Sequence, residues 1–297
     1  MGDSPRRVEA IVSPPRRPRE MRGAREESMR YPPPDLLARI ESASVDPGSI
    51  ALWHTGGAGY VLRTLRATIY LDPFTGASPD PVWVRDLAPP FDAAAIARCD
   101  LLLSTHEHFD HCDPDALEKL LRVSTTTFAG PASSIEVARG LGWPESRLRV
   151  LAWGDTIAVN GVQITAVKSV DPMAKGCNGY VFAAEGLTYV NMGDSLWYDD
   201  IGKELSRWTI DAIGVSVAQN PRGGTYYMSE IDAVRIARDV KAKVLVPHHW
   251  DLWHWVLLDP RRIQAVAPWY APETRVVPAR YAERLTLVRA GNGVAVV

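Results

Sequence analysis

The sequence predicts an α/β (α+β) fold in four layers: two β-sheets face to face with helices on both outer sides, in a single domain over residues 35–297. Three observations lead there. From Leu36 onward, short apolar runs alternate with helical patterns, without internal repeats or low complexity. Several of the apolar runs end abruptly in loops rich in His, Asp and Gly. The polar residues of those loops come from both halves of the chain, so a site built from them requires the halves to form one body.

The elements follow in order. Residues 50–53, 60–63 and 68–71 read as short strands separated by Gly-rich and polar turns. The apolar run Leu101-Leu102-Leu103 reads as a buried strand. Asp113-Pro114 opens a helix over 114–121, with the Asp as cap and the Pro in the first turn. Residues 131–139 read as a second helix. Strands are expected at 148–152, 163–167, 179–182 and 188–191. Ser229-Glu230-Ile231-Asp232 resembles a capping box that starts a helix to about residue 239, and residues 244–246 form a last strand.

Composition narrows the function classes. With 46% hydrophobic residues, 297 residues can bury a large core. A formal net charge of −2 argues against a nucleic-acid or anionic-membrane partner. The expected partner is a small-molecule substrate, with no nucleic acid, no membrane and a homo-oligomer as an open option. No apolar stretch approaches transmembrane length, and the N-terminus lacks the apolar core of a signal peptide. The three cysteines, Cys99, Cys112 and Cys177, show no paired spacing, which suits the cytoplasm. Cys112 reads as a small buried hydrophobe, although it directly follows His111. Residues 1–34 hold eight Arg, five acids and seven Pro but no Trp or Phe; they are expected to be a disordered Arg/Pro-rich extension.

The chemistry is concentrated in Thr105-His106-Glu107-His108-Phe109-Asp110-His111, where three of the seven histidines fall within six residues, directly after the 101–103 strand. Neutral imidazoles and a carboxylate suit a borderline or hard divalent ion, and they rarely crowd together without one. Farther along, Val190-Asn191-Met192-Gly193-Asp194 is an apolar strand ending in Gly-Asp, and Val244-Leu245-Val246-Pro247-His248-His249-Trp250 is a strand followed by two histidines.

His-x-His-x-Asp-His with these later matches resembles the metallo-β-lactamase superfamily. The resemblance implies the αββα sandwich of that family, a first metal on His106 and His108, and a second on Asp110 and His111. Asp194 would bridge the two, and His249 would be the last ligand, with His248 as its competitor. Many members carry a His just beyond the strand that corresponds to 163–167; here Asp171 stands there. A carboxylate hardens the first site and moves its preference from zinc alone toward manganese, with iron admissible. One or two divalent ions are therefore expected.

That carboxylate, the loop Gln219-Asn220-Pro221-Arg222-Gly223 and the tract Pro247-His248-His249-Trp250 resemble the branch containing the L-ascorbate-6-phosphate lactonases. The tract Trp53-His54-Thr55-Gly56-Gly57-Ala58-Gly59-Tyr60 is similar to the opening hairpin of the same branch. The resemblance implies a metal-dependent hydrolase that opens a small anionic, sugar-phosphate-like lactone with a metal-bound hydroxide. Asp110 would orient the attacking water and accept its proton. Arg222, whose planar fork matches phosphate or carboxylate oxygens, and Asn220, His54 and Trp250 are the expected substrate-binding residues. Trp253 and Trp255 read as core or interface. A phosphodiesterase or nuclease of the same fold, or a non-hydrolytic redox member, are the alternatives.

Overall fold

The computed structural model describes residues 29–123, 126–291 and 293–297. An eight-stranded sheet runs in the order β15-β14-β1-β2-β3-β4-β5-β6 and a seven-stranded sheet in the order β13-β12-β11-β10-β9-β8-β7. The first holds β1 (Ser49–Gly56), β2 (Gly59–Arg63), β3 (Thr68–Leu71), β4 (Leu101–Leu103), β5 (Thr127–Gly130), β6 (Leu148–Val150), β14 (Arg284–Ala290) and β15 (Gly293–Val296). The second holds β7 (Thr156–Val159), β8 (Val162–Lys168), β9 (Asn178–Ala184), β10 (Leu187–Asn191), β11 (Ala212–Ser216), β12 (Val244–His248) and β13 (Arg275–Val276). The helices are α1 (Leu36–Ser42), α2 (Pro114–Leu121), α3 (Ala132–Gly140), α4 (Ile201–Leu205), α5 (Glu230–Asp239) and α6 (Arg261–Tyr270).

The period of two along each strand sorts the layers. Successive side chains point to opposite faces, so Leu52, Tyr60, Leu62, Ile69, Leu71, Leu101 and Leu103 face Ile164, Ala166, Tyr180 and Phe182 across the sheet interface. Their neighbours Trp53, Val61, Tyr70 and Leu102 point outward, against Ile40 of α1, Leu117 of α2 and Ile135 of α3. On the other side Val181, Val190, Ile213 and Leu245 meet Ile201 of α4, Ile236 of α5 and Ile263 of α6. Because both faces of the central strands are covered, β4 and β12 are buried along their whole length. The four-layer expectation from the sequence is met.

Two helix starts are set by local chemistry. Asp113 caps α2 by accepting from Asp115 N, and the same carboxylate takes Thr75 N and Gly76 N at 2.8 Å, which ties the 75–76 loop to the helix. Ser229 and Asp232 form the expected capping box at α5, a device worth about 1 kcal/mol.

Residues 1–28 of the expected N-terminal extension lie outside the described residues. The last part of that extension is a correction to its expected boundary at 34. Arg30 forms a parallel bridge with Leu87, its N–H donates to Asp86 O, and its guanidinium donates to Asp251 O. Backbone pairing, which composition does not report, docks this segment. Among the described residues no helix is long and apolar enough to cross a membrane, and all three cysteines are buried and free.

Candidate metal centre

The strand ends β4, β10 and β12, with the loop after β8, bring their polar residues to one edge of the sandwich. His106, His108, Asp110 and His111 leave β4 in a tight turn in which His111 N and Cys112 N both donate to His108 O. Asp171 comes from the loop after β8, Asp194 from beyond β10 and His249 from the end of β12. The structure brings these seven residues together. Three overlapping sets each place their ligand atoms within 4.8 Å of one another: His106, His108 and Asp171; His106, His111 and Asp194; and Asp110, His111 and His249.

Distances within the cluster are those of donors arranged about shared points. Asp171 Oδ2 is 3.4 Å from both His106 Nε2 and His108 Nδ1. Asp194 Oδ2 is 3.3 Å from His111 Nε2 and 3.5 Å from His249 Nε2. Asp110 Oδ2 is 3.4 Å from His249 Nε2 and 3.7 Å from His111 Nε2. Asp194 thus stands in two relations at once, to the His106 side and to the His249 side.

The electrostatics of the metal-free cluster call for positive charge. Burial would lower the His111 and His249 pKa values, but Asp194 and Asp110, joined at His111 by Asp72, outweigh it and hold both imidazoles above their ordinary value. Burial would raise Asp110 and Asp194, yet His111 and His249 keep both carboxyls below the usual carboxylate range. Buried carboxylates set against imidazoles in this way favour positive charge at the cluster. Asp194 Oδ1 and both ring nitrogens of His249 are buried without a hydrogen-bond partner among the described residues. Imidazole and carboxylate donors left without partners fit a divalent cation.

Outer contacts fix several of these groups. Asp72, at the end of β3, accepts from Thr105 N at 2.8 Å and Thr105 Oγ1 at 2.6 Å, and its Oδ2 lies 2.8 Å from His111 Nδ1. That bond directs His111 Nε2 toward the cluster, the usual support for an imidazole ligand. Trp253 Nε1 donates to Asp110 Oδ2 at 2.9 Å. Glu107 accepts from Ser133 Oγ at 2.9 Å and from Lys175 N at 2.6 Å, tying the histidine loop to the segment that follows Asp171. The sequence reading missed all three roles; only Asp72, a carboxylate just past a strand end, carried a signal of the kind used for Asp194.

The two adjacent histidines part company at the end of β12. His249 has φ +66°, its N–H donates to Gly57 O at 2.8 Å, and its ring stacks on His111 at 5.4 Å. A side chain at Gly57, itself at φ +61°, would meet Leu252 Cδ2 at 2.7 Å, so this close approach requires glycine. His248 points between the sheets, edge-on to Tyr60 at 5.4 Å.

The expected substrate-binding residues scatter, and three of them are corrected. His54 is buried behind the hairpin: its Nε2 is 2.9 Å from Gly57 O, and its ring lines a cleft of about 470 Å³ between the sheets with Leu52, Tyr60 and Val246. Strand alternation sends it inward rather than to the metal edge. Trp250 packs toward the helical layer of α5 and α6, because the left-handed turn at His249 redirects the chain; Trp253 approaches the site instead. Asn220 spends its amide on the backbone of Tyr226 and Tyr227. Arg222 is exposed and makes no ion pair among the described residues. Cys112 is buried in the outer core, as expected.

A fold of two helix-flanked sheets with this cluster at one edge defines a class. Residues 67–250 match the β-lactamase superfamily domain, well over half of the chain, and the chain belongs to that family. It is a metallo-β-lactamase superfamily hydrolase. Among curated proteins it is similar to the probable L-ascorbate-6-phosphate lactonase UlaG of Escherichia fergusonii, 28% identical over 275 residues that cover 78% of each chain. Among solved structures it resembles Igni18, a metallo hydrolase of Ignicoccus hospitalis, at TM-score 0.65 and 17% identity, over 82% of this chain and 100% of that one. It also resembles CmlA, a diiron β-hydroxylase of Streptomyces venezuelae, at TM-score 0.61 and 14% identity, over 82% of this chain and 55% of that one. At those identities the two structures bear on the fold alone.

Proposed function

We propose that this chain is a cytoplasmic lactonase that opens a small anionic lactone at the metal edge. The observation that carries the reading is the set His106, His108 and Asp171 beside the set Asp110, His111 and His249, a two-part site whose third position holds a carboxylate. The similarity to proteins named as L-ascorbate-6-phosphate lactonases supports the choice of a lactone.

The first set, with Asp194 between, would hold one divalent ion, and Asp110, His111 and His249 a second; zinc and manganese both suit the mixed donors. When bound, such ions polarise a carbonyl and acidify water. The chain's own residues do the rest. Asp110 would orient the attacking water and take its proton: against the effect of burial, the His111 and His249 imidazoles hold its carboxyl below the usual carboxylate range, and Trp253 Nε1 donates to its Oδ2. Water adds to the carbonyl carbon, the ring C–O bond breaks, and Asp110 returns the proton to the departing ring oxygen, giving a hydroxy acid. Arg222, which is exposed, would supply a charge-assisted contact to the substrate's remote anionic group.

The test is a screen of metal-reconstituted protein against neutral lactones, phosphosugar lactones and phosphodiesters, with metal analysis of the same samples. Turnover of a lactone is expected, and Arg222→Ala should raise KM for anionic lactones about tenfold or more while sparing neutral ones, the loss of roughly 1.4 kcal/mol or more of a charge-assisted bond. Turnover of phosphodiesters alone would replace the lactonase reading.

A further inference from the structure

The loop between β11 and α5 presents one side chain to the cluster that neither the ligand set nor the proton path uses. Tyr227 lies 5.4 Å from His249, ring to ring, tilted by 35°. It packs, as Phe109 does, against a small apolar cluster that includes Phe74, Leu252 and Trp253. A phenol is protonated at neutral pH, so its hydroxyl is available as a donor beside the cluster. It makes no hydrogen bond to any described residue.

The backbone that carries it is held on both sides. Asn220 Oδ1 accepts from Tyr226 N at 2.7 Å and Tyr227 N at 3.0 Å, and Asn220 Nδ2 donates to Tyr227 O at 2.9 Å. One amide thus closes a seven-residue loop onto the residue that bears the phenol. Immediately after, Met228 is fully buried and bridges Val217, and Ser229 begins the capping box of α5. A phenylalanine would fill the same apolar cluster equally well, so packing alone does not account for the hydroxyl. A donor whose backbone is fixed beside the reacting centre is what stabilises charge that appears during a reaction.

We propose that Tyr227 is a catalytic residue of this site, donating a hydrogen bond to the substrate oxygen that gains negative charge when water adds, and that Asn220 is the positioning residue that sets the phenol there. This rests on the hydrolase reading above. It also assigns the Asn-Pro-Arg-Gly loop a division of labour: Asn220 builds the loop, Tyr227 meets the reacting centre, and Arg222 remains at the rim.

The full chain loaded with manganese or zinc provides the test, with Tyr227→Phe and Asn220→Ala compared to wild type. On any lactone that the wild type opens, Tyr227→Phe should lower kcat about 100-fold, the scale of one oxyanion donor, with KM within a few-fold. Metal content and Tm should be unchanged. Asn220→Ala should give a smaller loss of kcat in the same direction. Phenylphosphonate, a tetrahedral oxyanion, gives a readout independent of turnover: titrated by calorimetry, it should bind about tenfold more weakly to Tyr227→Phe. Unchanged kcat and unchanged phosphonate affinity would overturn the proposal, as would loss of metal from the Phe variant. If the wild type opened no lactone, the substrate reading would fail by itself, and the phosphonate titration would still decide the role of Tyr227.

Discussion

His108 and His111 leave the same loop three residues apart, yet their surroundings are opposite. The His111 side chain is enclosed, its Nδ1 bonded to Asp72, which is itself pinned by Thr105, and its neighbour Asp110 is bonded to Trp253. The His108 side chain is 35% exposed, and its partner Asp171 sits on a loop whose next residues, Pro172 and Met173, are exposed. The loop of Asp171 is anchored by its own turn to Met173 N and, through Lys175, by Glu107. One half of the cluster is pre-formed by buried hydrogen bonds; the other is completed by a surface loop. Preorganisation should therefore separate the two halves in affinity, with the His111 side filling first and the His108 side exchanging more readily.

Three substitutions probe this contrast. Asp110→Asn should have the largest effect, abolishing turnover by 10³-fold or more, because it removes both a donor and the proton acceptor; circular dichroism and Tm should show an intact fold, and near-wild-type turnover would remove Asp110 from the mechanism. Asp72→Asn comes next. It should weaken one metal equivalent about 10–100-fold, the usual cost of losing an outer partner, while the second equivalent binds as before. Equal weakening of both equivalents in a metal titration would show that the halves are not independent. Glu107→Ala should be mildest, loosening the Asp171 loop and speeding exchange at the open half by several-fold without changing the tighter equivalent; chelator-release kinetics would read it directly.

The parts of the site that sit on strand ends were legible in the sequence, since a run such as Leu101-Leu102-Leu103 followed by His-x-His-x-Asp-His states both the strand and its cargo. Asp171, Asp194 and His249 came from the resemblance to the metallo-β-lactamase superfamily rather than from local pattern, and the structure assembles them with the histidine loop. The supporting residues were not legible, for a physical reason. Trp253 reaches Asp110 across 143 positions, and Lys175 reaches Glu107 across 68; such pairs depend on how two sheets and their loops are juxtaposed, which no local pattern encodes. Trp250 was expected near the pocket because it adjoins His249, but a left-handed residue reverses the direction of the next side chain. The strands β5, β7, β11, β13, β14 and β15 were likewise not read from the sequence.

The pairing of β1 with β14, Ser49 against Val288 through Trp53 against Arg284, has a consequence for how the chain is made. β1 receives its other neighbour, β2, almost at once, but its second edge stays bare until residues 284–288 are available. At ribosomal speeds, the stretch between them takes roughly ten to fifty seconds to synthesise. Closing so long a loop is slow as well as late, and an unpaired edge is a template for the wrong strand in the meantime. The seven-stranded sheet can assemble from β7 through β12 once His248 has emerged, whereas the eight-stranded sheet waits for the C-terminal hairpin. The sheet that is begun first is the last to be completed.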